Sequence, residues 1–95
     1  MSAYVIVSVD VKDPAAYEEF QARIPALVQK HGGEYLVRGG AFVVVEGDWK
    51  PGRIVLFRFP DTSAAQALYN DPEYQPLKAL RQRASKMDIV AIEGC

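Results

Sequence analysis

Three neighbouring residues of the sequence have side chains that could form an active site. Asp48, Trp49 and Arg53 lie in or beside the run GDWKPGR, where glycine and proline predict a loop. A carboxylate such as Asp48 can act as a general base, and the guanidinium of Arg53 can bind an anionic group of a substrate. The indole of Trp49 can supply an apolar wall. We therefore predict Asp48 as a catalytic residue, and Trp49 and Arg53 as substrate-binding residues.

The same three residues also fit a structural role. Asp48 and Arg53 can form an ion pair, and Trp49 can cover the seam between two subunits. A short pattern of aspartate and tryptophan specifies no reaction by itself. The structural interpretation is the one that the composition of the loop favours, and the catalytic interpretation stays open beside it.

A second candidate group follows helical spacing near the end of the sequence. Tyr74, Leu77 and Arg81 are separated by offsets of three and seven, which place Arg81 on the apolar face of a helix. An unpaired buried charge costs on the order of several kcal/mol, so an inward guanidinium needs a partner. A salt bridge to Glu46 or Asp48 is the favoured prediction, and an anionic ligand is the alternative.

Three tyrosines and two arginines make up the other candidates. We predict that Tyr69, Tyr74 and Arg81 bind substrate. Tyr17 and Tyr69 lie on predicted helices, where each either lines a pocket or fills the core with its hydroxyl at the rim. Arg38 precedes a glycine pair and either approaches a ligand or reaches solvent.

The sequence argues against several cofactors. His31 is the only histidine, so a haem or zinc site built on several histidines cannot form within one chain. Its position after the first predicted helix is that of a C-terminal cap. The glycine pairs at 32–33 and 39–40 lack the spacing and the lysine of a phosphate-binding loop. We predict neither a metal nor another cofactor.

The elements that must position these side chains follow the order strand, helix, strand, strand, helix, strand. Alternating residues predict the first strand at 4–11, and Asp13 followed by Pro14 predicts the start of a helix that ends at Gly32-Gly33. The remaining predicted elements are strands at 34–37, 41–45, 53–59 and 87–93, a helix with Thr62 or Ser63 as its N-cap, and a helix that begins at Leu77. This order predicts one α+β domain over residues 1–95, a ferredoxin-like antiparallel sheet with its helices on one face.

Two of the predicted strands, at residues 41–45 and 54–59, are apolar on both faces. The helices cover only one face of the sheet, so the other would expose a larger apolar patch than monomers tolerate. We predict a homodimer through the open sheet face. The segment Arg38-Gly39-Gly40 is either a tight hairpin or a bulge within one bent strand, and we favour the bent strand.

The overall charge and the apolar pattern argue against two classes of partner. The 95 residues carry a formal net charge of -1, so no positive field attracts nucleic acid or an anionic membrane. The sequence shows no eighteen-residue apolar stretch and no leader, and its lone Cys95 cannot form an internal disulfide. These features predict a cytoplasmic protein.

Several short motifs together resemble the uncharacterised domain-of-unknown-function family 1330, and the resemblance spans essentially the whole chain. The motifs are Gly32-Gly33, Arg38-Gly39-Gly40, Glu46-Gly47-Asp48-Trp49 with Pro51 and Arg53, Phe59-Pro60, and Asp71-Pro72-Glu73-Tyr74-Gln75 with Arg81. The resemblance implies a dimeric α/β barrel, in which two ferredoxin-like sheets pack face to face. It implies no established activity, because the wider superfamily includes cofactor-free monooxygenases, isomerases, haem enzymes and non-catalytic members.

Two functions fit these observations. The first is a cofactor-independent enzyme, of the oxygenase or isomerase type, that acts on a small apolar or aromatic acid. The second is a non-catalytic ligand-binding or stress-response homodimer, in which the same residues only stabilise the fold. A pocket surrounded by Asp48, Arg53 and Arg81 would favour the first, and a closed salt-bridge network would favour the second.

Overall fold

The computed structural model describes residues 2–95, which form four strands and three helices. The elements are β1 (Ala3–Val11), α1 (Pro14–Lys30), β2 (Glu34–Arg38), β3 (Arg53–Phe59), α2 (Thr62–Asn70), α3 (Tyr74–Ala84) and β4 (Ser85–Glu93). All neighbouring strands are antiparallel, in the order β2-β3-β1-β4. This is the predicted ferredoxin-like arrangement, and β3 has the predicted bounds.

The hydrophobic core lies between the helices and one face of the sheet. Val5, Val7 and Val9 alternate along β1 and are buried, and Val55 and Phe57 of β3 stand opposite Val7 and Val5 on the same face. Side chains from all three helices pack over this face. The period of two in β1 therefore separates a helix-side face from an open face.

The open face of the sheet is apolar in its middle. Ile6 of β1 lies between Leu56 of β3 and Val90 of β4, and Val37 of β2 stands beyond Leu56. Ile6 is 37% exposed and Val90 56% exposed. None of the helices formed by residues 2–95 packs on this face, which agrees with the predicted two-sided apolar pattern.

The first two helices begin at aspartate caps. Asp13 accepts a hydrogen bond from the backbone of Ala16 at 3.2 Å, as the sequence predicts for α1. The predicted cap of α2 at Thr62 or Ser63 is wrong, because Asp61 accepts from Ala64 at 2.8 Å. Asp61 lies one residue nearer the end of β3, and its carboxylate interacts more favourably with the N-terminal end of the helix dipole than a hydroxyl does.

The third helix begins earlier than the sequence suggests. The sequence predicts that Pro76 interrupts the chain before a helix that begins at Leu77, whereas α3 starts at Tyr74 and contains Pro76 in its first turn. The first N–H groups of a helix have no acceptor within the helix, so proline costs no hydrogen bond there. As a result, Tyr74 and Arg81 lie on the same helix.

The predicted strand at 41–45 is absent from the structure. Residues 40–51, which we name the arm, form neither helix nor strand, and residues 41–50 are all exposed. Gly39 donates to the carbonyl of Ile54 at 2.9 Å and has a φ of +75°, after which the chain leaves β3. A strand requires a hydrogen-bonded neighbour, and no strand within residues 2–95 reaches the arm.

The glycine pair at 39–40 therefore forms neither of the two predicted shapes. The register irregularity of β2 lies earlier, between Tyr35 and Val37, and Gly39 ends the pairing. A Cβ atom built at Gly40 or Gly47 would meet no neighbouring atom within 4 Å, so the arm has open space around it at these two positions. None of the helices that residues 2–95 form is long and apolar enough to cross a membrane.

Candidate functional site

A cavity of about 540 Å³ lies between the helices and the helix-side face of the sheet. Val55 and Phe57 of β3 and Ile89 of β4 line it from the sheet, and residues of α1, α2 and α3 line it from above. Its volume falls within the range of roughly 300–1,000 Å³ that small-molecule sites occupy. Most of the lining is apolar, so the few polar groups in it stand out.

Arg81 of α3 is the most informative of these polar groups. It is 5% exposed, it lines the cavity, and its Nε donates to the hydroxyl of Tyr74 at 3.1 Å. Among residues 2–95, no carboxylate lies within 4.0 Å of its guanidinium. The predicted salt bridge to Glu46 or Asp48 is therefore wrong, because both residues lie in the exposed arm.

Arg38 lines the same cavity from the end of β2. Its guanidinium lies 4.7 Å from the centroid of the Tyr35 ring and donates to the backbone carbonyl of Gln21 at 3.1 Å. Arg38 stands opposite Val55 in the sheet, and Val55 belongs to the helix-side face. Arg38 is also exposed, so it lines the cavity and reaches solvent at the same time, and a contact with a ligand stays a prediction.

Arg53 lies at the start of β3 and does not line the cavity itself. Its Nη2 donates to the backbone carbonyl of Arg38 at 3.3 Å, and its buried Nε has no hydrogen-bond partner among residues 2–95. A Cβ atom at Gly39 would lie 2.5 Å from the guanidinium carbon, so the side chain packs directly against the glycine. The expected ion pair with Asp48 does not form.

The charges of three arginines affect the pKa of Tyr17 of α1. Burial raises the pKa of the Tyr17 phenol, and the positive charges of Arg53, Arg38 and Arg81 oppose that rise. None of these three guanidinium groups is paired with a carboxylate among residues 2–95, and two of them, Arg38 and Arg81, line the cavity.

Tyr17, Tyr35 and Tyr74, which line the cavity, are protonated at neutral pH. Burial raises the pKa of Tyr74 and of Tyr35, and the neighbouring arginines only partly offset the effect. Tyr69 is 41% exposed and its ring centroid lies 5.8 Å from that of Tyr74, so it forms part of the rim. Protonated phenols can donate hydrogen bonds to a ligand but cannot serve as bases.

The structure thus brings together only part of the predicted site. Tyr69, Tyr74 and Arg81 line the cavity. Arg53 is outside the lining, and its guanidinium packs against Gly39. Asp48 and Trp49 are exposed in the arm and do not line the cavity of their own chain. The catalytic role of Asp48 remains a prediction.

Other lining residues carry side chains that the sequence did not single out. Tyr35 and Gln21 take part in the contacts with Arg38, and Gln82 and Asn70 also line the cavity. The alternation along β2 is interrupted by its irregular register, so the face of Tyr35 could not be assigned before the pairing was known. None of the lining residues is Asp, Glu, His, Lys or Cys.

A separate ionic cluster joins the end of α1 to the start of α3. Asp71 accepts from Lys30 at 2.9 Å and lies 2.8 Å from Nε2 of His31, and its second oxygen accepts from the backbone of Glu73 at 2.8 Å. The contacts with His31, Lys30 and the Glu73 backbone, in that order, hold the pKa of Asp71 well below its usual value. His31 is also the C-terminal cap residue of α1, as predicted.

No three His, Cys, Asp or Glu side chains within residues 2–95 gather into a group that could hold a metal ion. The polar side chains that line the cavity instead carry guanidinium, phenol, amide and hydroxyl groups. These groups suit an organic anion.

Comparison with known proteins gives a family and a fold. The family described as a domain of unknown function (DUF1330) matches residues 2–95. Among curated proteins the search finds no match. RPA0582 of Rhodopseudomonas palustris, a protein of unknown function, is 15% identical with a TM-score of 0.80, and the match covers 99% of this chain and 82% of that one.

Two further solved structures have a similar fold. A dimeric ferredoxin-like protein of unknown function from Jannaschia sp. CCS1 is 15% identical, with a TM-score of 0.70 and coverage of 99% of this chain and 100% of that one. SnoaB of Streptomyces nogalater, a cofactor-independent oxygenase, is 15% identical, with a TM-score of 0.66 and coverage of 99% and 93%. At these identities the similarity establishes the fold alone.

Proposed function

We propose that this chain, which belongs to the DUF1330 family of domains of unknown function, binds a small organic acid in the cavity between its sheet and its helices. The observation that carries the proposal is the burial of Arg81 in the cavity wall with no carboxylate within 4.0 Å among residues 2–95. A buried charge without a counter-charge is unfavourable, and an acidic ligand would supply the missing partner. The planar guanidinium suits a carboxylate, which it can bind through two hydrogen bonds.

The remaining walls of the cavity define the rest of the ligand. Phe57 lies 4.6 Å from Tyr35 and 6.2 Å from Phe59 between ring centroids, and aliphatic side chains cover much of the remainder. Such a surface favours an apolar or aromatic body. We place the acidic group of the ligand at Arg81 and Tyr74, and its apolar body over the sheet.

Two forms of this function differ in whether the bound acid reacts. In the catalytic form, a cofactor-independent oxygenase or isomerase, Asp48 would accept the proton that the substrate loses. Arg81 and the protonated Tyr74 would donate hydrogen bonds to the substrate oxygen on which negative charge then develops. The fold similarity to SnoaB supports this class. The non-catalytic form is supported by the cavity lining, which holds no carboxylate, imidazole, amine or thiol to remove the proton.

Ligand-induced changes in melting temperature test the binding proposal. Benzoate, phenylacetate and hexanoate should each raise the melting temperature of the wild-type protein, whereas their neutral amides should not. Arg81→Met should abolish the shift. Arg83→Met removes an exposed charge from the same helix and should retain it. A panel of acids that gives no shift with the wild-type protein would contradict the proposal.

Oxygen uptake then separates the two forms. With an acid that stabilises the protein, and with no added metal or cofactor, the oxygenase form predicts protein-dependent consumption of oxygen. Isomerisation predicts a changed product by nuclear magnetic resonance without oxygen uptake. A bound acid that is recovered unchanged favours the non-catalytic form.

We also propose that two copies of the chain associate through the open sheet face. The apolar row of Val37, Leu56, Ile6 and Val90 is the surface that association would bury. The dimeric state of the similar Jannaschia protein supports this arrangement. Sedimentation velocity at micromolar concentration should give the mass of a dimer, and a monomer would contradict the proposal.

A further inference from the structure

The arm has the properties of a strand that lacks its neighbour. Its residues 41–45 read AFVVV, a run without charge and rich in β-branched side chains. Exposure alternates along it, with Phe42 and Val44 at 50% and 44% and Val43 and Val45 at 81% and 93%. This is the pattern of an extended segment with one side partly covered. Its backbone groups pair with no strand within residues 2–95.

The outer edge of β4 is a strand edge that lacks its neighbour. Within residues 2–95, β4 pairs with β1 on one side only. Residues 89–92 read IVAI, carry no charge and are all exposed. Natural proteins usually protect such edges with charges, bulges or very short strands, and this part of β4 has none of these.

The edge of β2 is protected in the usual way. This strand has five residues, its register is irregular between Tyr35 and Val37, and Glu34 and Arg38 mark its ends. Between Asp88 and Glu93, β4 offers four consecutive uncharged residues in regular register. The uncharged part of β2 has three residues and contains the register shift, so the β4 edge is the better match for the arm.

We propose that the arm of each protomer adds as a further strand to the outer edge of β4 of its partner. The inference rests on the homodimer proposed above, and the occupant of the β4 edge is a second copy of this chain. A two-fold axis makes the exchange reciprocal, so both arms and both β4 edges are satisfied in one closed dimer. Pairing between the two arms would leave both β4 edges open.

In this strand exchange, the partner's arm contributes residues beside the cavity. Ile89 and Ala91 of β4 line the cavity, so alternate side chains of a strand added beside β4 extend the same wall. Asp48 lies three residues beyond Val45, which is a reach of roughly 10 Å in an extended chain. The carboxylate of Asp48 and the indole of Trp49 in the partner's arm would then lie within roughly this distance of the added strand. The lining that this chain itself supplies contains neither group.

Hydrogen exchange measured by mass spectrometry tests the pairing of the arm with β4. Sedimentation of the same sample establishes whether it is a dimer. In the dimer, amides within residues 42–45 should exchange at least about tenfold more slowly than an unstructured segment. Val43→Pro removes a donor and should abolish this protection, and it should also speed exchange in β4. Val43→Thr keeps the donor and the strand propensity, and should behave as the wild-type protein.

The outcomes separate this inference from the homodimer itself. A dimer whose arm exchanges at the rate of an unstructured segment contradicts the strand exchange and leaves the sheet-face dimer standing. Arm protection that Val43→Pro removes without any change in β4 also contradicts it, because the arm then pairs elsewhere. A monomer at all concentrations contradicts both.

Disulfide formation identifies the neighbour directly. In a Cys95→Ser background, a Val43→Cys chain is mixed under oxidising conditions with chains that carry cysteine at position 89, 90 or 91. At least one mixture should give a disulfide-linked pair, since cross-strand Cβ atoms come close enough to bridge. A linked dimer from Val43→Cys alone, with none in the mixtures, would show arm-to-arm pairing and overturn the inference.

Discussion

A single buried arginine carries most of the functional information in this chain. Helical spacing predicts that Arg81 faces inward, and it does, at 5% exposure. Structural arginines in protein cores normally lie against carboxylates, whereas Arg81 has only the hydroxyl of Tyr74 as a side-chain partner among residues 2–95. The incomplete partnering of a buried charge is what we interpret as a ligand site.

Replacement of Arg81 by methionine should separate stability from binding. Arg81→Met fills similar space and removes a poorly compensated charge, at the loss of one hydrogen bond to Tyr74. We expect the free energy of unfolding of the ligand-free protein to stay the same or to rise by about 1 kcal/mol. Urea denaturation measures this. A loss of more than about 3 kcal/mol would show that the fold already satisfies Arg81.

The cluster around Asp71 makes stability depend on acid pH. The folded-state pKa of Asp71 lies below its ordinary value of 3.8, because His31, Lys30 and the Glu73 backbone bind its ionised form. Its contribution is therefore complete above that value and declines as the pH falls below it. Asp71→Asn should lower stability at pH 7, and the difference from the wild-type protein should narrow towards pH 3.

Urea denaturation of both proteins across this pH range measures the effect of Asp71. Glu18→Gln is the matched control, because Glu18 is exposed on α1 and forms no ion pair within residues 2–95. A constant difference between wild-type and Asp71→Asn proteins from pH 7 to pH 3 would contradict the interpretation.

At the scale of elements, Gly39 decides where β2 ends and where the arm begins. Its φ of +75° turns the chain away from β3 immediately after its N–H donates to Ile54. The guanidinium of Arg53 occupies the space where a side chain at this position would lie. The next residue, Gly40, has neither a positive φ nor a close neighbour.

The two glycines give a matched pair of substitutions. Gly39→Ala should lower the free energy of unfolding by about 1–2 kcal/mol, because the new Cβ meets an unfavourable φ and displaces Arg53. Gly40→Ala should change it by less than about 0.5 kcal/mol. Chemical denaturation compares them, and equal effects at both positions would contradict this explanation.

At the scale of the whole molecule, the sheet has one face covered by helices and one face open. Ile6 lies in the middle of the open face, with Leu56 and Val90 on its two sides. A charge at this position would be buried in the proposed face-to-face dimer but solvated in a monomer.

Ile6→Lys should therefore convert the dimer to a folded monomer. Sedimentation velocity measures the mass and circular dichroism measures the fold. Ala22→Lys adds the same charge to an exposed position of α1 and should leave the dimer intact. A folded Ile6→Lys protein that remains a dimer would show that association uses a different surface.

Local patterns in the sequence were sufficient to predict most of the elements. The alternation in β1, the Asp13-Pro14 start of α1 and the bounds of β3 follow from interactions between residues near in sequence. The prediction of a strand at 41–45 is wrong, and the reason is non-local. Its residues have strand propensity, but a strand also needs a paired neighbour, and the chain provides none among residues 2–95.

The sequence by itself determined the ferredoxin-like order of elements, the apolar character of both sheet faces and the inward position of Arg81. Each follows from periodicity, which requires no knowledge of distant residues. Only the tertiary structure decided that Arg38 and Arg81 line one cavity with Tyr17 while Asp48 and Trp49 stand apart in the arm. Such convergence depends on strand register and on the direction in which the chain leaves Gly39, and neither is encoded in local spacing.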